Sequence, residues 1–177
     1  FSPDESFNMK NLGCRKDDAI SAYSEMLLGV PSSKVRVYLS KAFSSSSYSL
    51  RESIREAECL GDTVVLCDTN GYASPKSIKQ VLGLSNGHTA LHLHYSSDRK
   101  QMLENITVAY ETGIREFDTS IAGLGGCPFV RGSRGNLGTG ELITCAEQEG
   151  LDCGISLNDI KEAENLAKSL AKPEILI

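Results

Sequence analysis

The chain has 177 residues, of which 40% are hydrophobic and 23% charged, and it contains no tryptophan. That is enough for one domain with a sizeable core and too apolar for a disordered chain. A formal net charge of −5 and a pI near 5.2 speak against a sequence-independent nucleic-acid binder, and no apolar run approaches the roughly 18 residues of a membrane span. The opening FSPDESFNMK shows neither the basic n-region nor the apolar stretch of a secretory signal. The six cysteines form no CxxC pair and no zinc-finger spacing, so packed thiols in a reducing compartment are expected.

In chain order, residues 15–29 read as a helix with no strand of its own ahead of it. The turn signal Pro31-Ser32-Ser33 leads into a β-rich segment, KVRVYLS at 34–40. Ser49-Leu50-Arg51-Glu52 reads as a capping box, and Leu50, Ile54, Ala57 and Leu60 continue as a helical stripe that Gly61 ends. Residues 63–68, TVVLCD, form the continuous apolar run of a parallel strand covered on both faces. Ser74-Pro75 reads as N-cap and first helical residue of a helix to Leu82. TALHLH at 89–94 predicts a third strand, Arg99–Thr112 a helix closed by Gly113, and IREFDTS at 114–120 a fourth strand. A glycine-rich loop precedes a helix near 137–149, and Ser156-Leu157-Asn158-Asp159 caps a last helix toward Ala171. The pattern is one helix followed by four βα units, an α/β fold with a parallel sheet in a single domain.

In such folds the chemistry lies beyond the C-terminal ends of the strands. His92 and His94 stand two apart at the end of the third strand and share a face. They are either a pair of divalent-cation ligands or two hydrogen-bonded polar residues. The stretch 121–140, IAGLGGCPFVRGSRGNLGTG, holds seven of the sixteen glycines. It fits neither a Walker A loop nor a dinucleotide fingerprint. Its glycines permit positive φ, close approach of backbone to a ligand and closure as a lid. Cys127 within it is either an acid/base or nucleophilic thiol or an inert packed one. Asn136 is either the N-cap of the next helix or an amide-oxygen metal ligand.

The run SIAGLGGCPFVRGSRGNLGTGEL at 120–142 resembles the signature loop of the 3-hydroxy-3-methylglutaryl-CoA lyase family. His92-Leu93-His94 is similar to that family's metal-binding His-x-His, and Cys67-Asp68-Thr69-Asn70-Gly71 to its Gly-Asp-Thr motif. Ser6-Phe7-Asn8-Met9-Lys10-Asn11 resembles the segment after the family's fourth barrel strand. The resemblance implies a partial (β/α)8 barrel, with the four βα units corresponding to strands five to eight. It implies His92, His94 and Asn136 as ligands of Mg²⁺ or Mn²⁺, Cys127 and Asp68 as catalytic residues, and Gly125, Gly126, Arg131 and Arg134 as substrate-binding. The implied reaction is a retro-Claisen cleavage of 3-hydroxy-3-methylglutaryl-CoA to acetyl-CoA and acetoacetate. The acyl-CoA phosphates need local cations, for which Lys41, Arg99, Lys100, Arg131 and Arg134 lie near the strand ends, each also readable as solvated surface charge. The implied compartment is the mitochondrial matrix or the cytoplasm.

Three departures accompany the resemblance. The Arg-Asp-Gly motif of the family's first strand, with its aspartate metal ligand, occurs nowhere in the sequence. Phe43-Ser44-Ser45-Ser46-Ser47 replaces a Gly-Cys-Pro-Tyr type loop, and Gly140 stands where an acidic residue is usual. A barrel typically takes about 250 residues, so the expectation is half a barrel with open strand edges. The first half would be a separate chain or lie outside these residues, giving a split but active lyase, and the open edges would be covered by another chain or by a homo-oligomer. The alternatives are a catalytically degenerate structural subunit, or an open doubly wound sheet binding a nucleotide-like ligand at its switch point.

Overall fold

A computed structural model describes residues 1–95, 99–126 and 135–170, with Arg99 by its backbone alone. Two helices, α1 (Glu5–Asn11) and α2 (Lys16–Met26), precede the first strand. Four strands then alternate with helices: β1 (Arg36–Leu39), α3 (Ser47–Leu60), β2 (Thr63–Asp68), α4 (Pro75–Leu82), β3 (His88–Leu93), α5 (Arg99–Glu111) and β4 (Phe117–Asp118). After β4 come a single 3₁₀ turn, Ile121–Gly123, then α6 (Thr139–Gln148) and α7 (Leu157–Leu170).

All neighbouring strands pair in parallel, in the order β1-β2-β3-β4. A doubly wound sheet reverses its strand order at a switch point. This order never reverses, so that alternative is overturned. The alternation along each strand separates the two faces. Val37 and Leu39, Val64 and Leu66, and Leu91 and Leu93 pack with Leu50, Ile54, Ala57, Ile78, Val81, Met102 and Ile106 of α3, α4 and α5 in one core. Val65, Cys67 and Ala90 face the other way and cluster apart from it. Helices on one side of an in-order parallel sheet make an arc of a barrel wall.

Where boundaries differ from expectation, local hydrogen bonds account for it. The capping box expected at Ser49 does not form: Ser46 caps α3 through Ser49 N at 3.3 Å, so the helix begins at Ser47. The serine run supplies a cap three residues sooner and gains the helix a turn. The strand expected over 114–120 shrinks to two residues. Ile114 N bonds back to Ala109 O, and Arg115 takes the Ile114 and Tyr110 carbonyls at 2.8 Å each, which withdraws that backbone from the ladder. Helix α1 left no periodic signal because seven residues are too few to show one. It forms because Asp4 caps Phe7 N at 3.1 Å and the buried Asn8 amide grips both backbone groups of Ser2 at 2.8 Å. No helix among the described residues is long and apolar enough to cross a membrane.

Candidate functional site at the strand ends

The two histidines meet at the C-terminal end of β3. Their ring centroids lie 5.2 Å apart at an interplanar angle of 62°, with His94 buried and His92 half-buried. The returning arm of the glycine-rich loop docks beside them. Tyr95 N donates to Gly135 O at 2.6 Å and Leu137 N to Leu93 O at 2.9 Å, so His94 and Asn136 pair in antiparallel fashion. Asn136 Nδ2 donates to Leu124 O at 2.8 Å, and its side chain is within hydrogen-bonding reach of His92. The helix-cap reading of Asn136 is therefore overturned. Gly138 caps α6, its N–H donating to Glu141 Oε2 at 3.3 Å.

Glycine is required where the two loop arms cross. A Cβ on Gly135 would stand 2.3 Å from Gly123 O, and one on Gly125, at φ +101°, would meet Asn136 Nδ2 at 2.8 Å. Gly125 and its neighbour Gly126 are exposed. Part of the glycine density thus serves to seat Asn136 rather than to contact a ligand.

Electrostatics divide the nearby titratable groups. Burial first, then the neighbouring His94, lowers the His92 pKa, which keeps its ring neutral and its lone pair available near pH 7. Asp68 is 2% exposed, and burial pushes its carboxyl up. Backbone donors oppose that: Tyr72 N and Ala73 N reach its two oxygens at 2.8 and 3.0 Å. Asp68 is thereby fastened to its own β2–α4 loop. Burial drives the Cys67 thiol up to about 12, so it is an inert packing group.

Several residues that sequence reasoning did not single out line the concave face. Arg36, on edge strand β1, reaches Asp118 Oδ1 on β4 at 2.9 Å and Glu116 Oε2 at 3.7 Å. His88 joins Glu116 Oε1 at 3.1 Å and Thr63 Oγ1 at 3.1 Å. Asp118 Oδ2 lies 3.6 Å from His92 Nδ1, and the Tyr38 ring stands edge-on to His92 at 6.3 Å. The available signal was the two-residue alternation of β1, which puts Arg36 and Tyr38 on one face.

Other expected residues fall elsewhere. Cys127, Arg131 and Arg134 lie outside the described residues, as does the Arg99 side chain. Lys41 is engaged by Asp4 and sits 5.8 Å from the Phe7 ring. Lys100 is 3.8 Å from Glu104 on its own exposed helix face. The donor set fits part of a divalent-cation site: two adjacent imidazoles and one amide. Among the described residues, no group of three His, Cys, Asp or Glu side chains could hold a metal ion.

The HMGL-like family model matches residues 4–167. The chain belongs to the HMGL-like family. It is 31% identical over 186 aligned positions to the mouse cytoplasmic 3-hydroxy-3-methylglutaryl-CoA lyase, covering 95% of this chain and 53% of that protein. It is 30% identical over 173 positions to the human mitochondrial hydroxymethylglutaryl-CoA lyase, covering 91% and 53%. The chain spans about half the length of these curated relatives. Among solved structures, an Acinetobacter baumannii HMG-CoA lyase in complex with coenzyme A and 3-methylmalate superposes with a TM-score of 0.86. It is 25% identical and covers 96% of this chain and 59% of that one. The Bacillus subtilis HMG-CoA lyase gives a TM-score of 0.80 at 28% identity, covering 96% and 61%. These likenesses confirm the expected family and a partial, barrel-like α/β fold.

Proposed function

We propose that this chain supplies strands five to eight of a hydroxymethylglutaryl-CoA lyase barrel, as one partial-barrel domain. In this reading it takes part in metal-dependent cleavage of 3-hydroxy-3-methylglutaryl-CoA to acetyl-CoA and acetoacetate. The observation that carries this reading is the convergence of His92, His94 and Asn136 at the strand ends. The bound coenzyme A of the Acinetobacter relative supports an acyl-CoA ligand.

His92, His94 and Asn136 would hold the Mg²⁺ or Mn²⁺. Once bound, that ion supplies a Lewis acid for a hydroxyl or carboxylate oxygen of the substrate. The neutral state of His92 suits a ligand, because a protonated imidazole has no lone pair to give. Cys127, on the same loop as Asn136, is the group we assign to proton transfer, with Gly125, Gly126, Arg131 and Arg134 contacting the acyl-CoA. Asp68 keeps the β2–α4 loop beside His94. The remaining strands of the barrel lie outside this sequence, and the site operates in the compartment of either set of relatives, mitochondrial matrix or cytoplasm.

A second reading is favoured by one observation: no third His, Cys, Asp or Glu ligand joins the two histidines among the described residues. In that reading the chain is a lyase-derived structural subunit with an eroded site. Acetoacetate release and Mn²⁺ binding, measured on the chain alone and with any co-purifying partner, separate the two. Turnover that His92→Ala abolishes, with assembly unchanged, establishes the lyase. Neither Mn²⁺ binding nor turnover, even with the partner present, establishes the subunit.

A further inference from the structure

We propose that Asp118 is a positioning residue for His92, held in place by Arg36 from the opposite edge of the sheet. The inference rests on the proposed ligand role of His92, but its geometry stands apart from any metal. β3 and β4 pair in parallel with His92 opposite Asp118, so the two side chains share the concave face. His92 Nδ1 is shut from solvent and has no hydrogen-bond partner among the described residues. The carboxylate oxygen set against it is Asp118 Oδ2, at 3.6 Å. A buried imidazole N–H without an acceptor is costly, and a movement well under 1 Å would close this gap to an ordinary hydrogen bond.

The other carboxylate oxygen explains why Asp118 stays there. Oδ1 accepts from an Arg36 terminal nitrogen at 2.9 Å, and Arg36 also lies 3.7 Å from Glu116. Arg36 belongs to β1 and Asp118 to β4, so this contact spans the concave face from one edge strand to the other. Tyr38 adds an edge-on ring against His92 at 6.3 Å, and Arg36 lies 5.8 Å from the same ring. The carboxylate is thus fixed on one side by a guanidinium and presents its other oxygen to the imidazole. Such a carboxylate selects the Nδ1–H form and leaves the Nε2 lone pair for the ligand side of the ring.

The test is the tautomer of His92 in the full chain without metal, read from imidazole ¹⁵N shifts above the ring's pKa, with His92→Gln assigning the resonance. The expected result is Nδ1–H, the form exposed histidines do not favour. In Asp118→Asn, the amide keeps its oxygen on Arg36 and turns its NH₂ toward Nδ1, so the ring switches to Nε2–H. Mn²⁺ affinity should then fall by about 10- to 100-fold. An Nε2–H ring in the wild type, or a tautomer unchanged by Asp118→Asn, overturns the proposal. The wild-type spectrum decides even if that variant does not fold. If His92 is Nδ1–H and the wild type binds no Mn²⁺, the positioning role stands and the lyase reading fails.

Discussion

Asp4 serves three partners with one carboxylate: the Phe7 backbone N–H, the Ser6 hydroxyl and the Lys41 ammonium. The hydrogen bond from Lys41, followed by that from Ser6, holds its pKa at about 2 against an ordinary 3.8. A depressed folded-state pKa means stabilisation that is complete above about pH 4 and is lost as the pH falls toward about 2. The urea midpoint of the wild type should therefore exceed that of Asp4→Asn at neutral pH, with the two converging between pH 4 and 2. Parallel curves through that window would refute the linkage. The site shows the same dependence on partners. His92, His94 and Asn136 were legible because a His-x-His pair and a loop motif are local patterns. Asp118 and Arg36 were not, because 82 residues separate them and only the curvature of the sheet brings them together. Lys41 was read as a loose cation for phosphate. Its engagement by Asp4 depends on a helix too short to announce itself.

At the scale of elements, legibility follows burial. β2 is buried at every position, so an unbroken apolar run marked its ends at Thr63 and Asp68. β4 is half-buried and two residues long, and its shortness comes from side-chain bonds of Arg115 that no periodicity encodes. The glycine loop shows both conditions at once. Its composition marked a special backbone, but which glycines matter depends on how its arms cross. Gly135 is the tightest point, because an added Cβ would stand 2.3 Å from Gly123 O. Backbone cannot yield as a flexible side chain does, so Gly135→Ala should separate the arms at a cost of about 1–3 kcal/mol. Since Asn136 is the next residue, Mn²⁺ binding should weaken in the same variant. Calorimetric melting and a Mn²⁺ titration check the two effects together. Loss of stability with unchanged binding would show that Asn136 is seated by other contacts.

Across the whole molecule, stability and the candidate site are unevenly matched. One core unites β1, β2 and β3 with α3, α4 and α5 and reaches α6 through Cys145. α7 contributes no buried residue, and its Leu166 and Leu170 are exposed. α2 buries only Ala19. Amides in elements with little buried apolar surface open at low free energy, whereas those of core strands open only with global unfolding. Hydrogen exchange followed by mass spectrometry should therefore show α7 and α2 exchanging first and β2 and β3 last. The site lies across that gradient. His92 belongs to β3, but the glycine arm that seats Asn136 runs into α6, where Gly140 packs against Glu164 and Ile160 of α7, at 2.8 and 3.4 Å from an added Cβ. Fraying of α7 should therefore loosen the Asn136 side of the site before the histidine side. Asn136 N, which bonds Gly123 O within the loop, should exchange nearer the rate of α7 than does Leu137 N, which is held by Leu93 O of β3, and added Mn²⁺ should slow it selectively by joining the two sides. Protection of Asn136 N equal to that of β3 without metal would mean that the loop arm is held by the sheet alone.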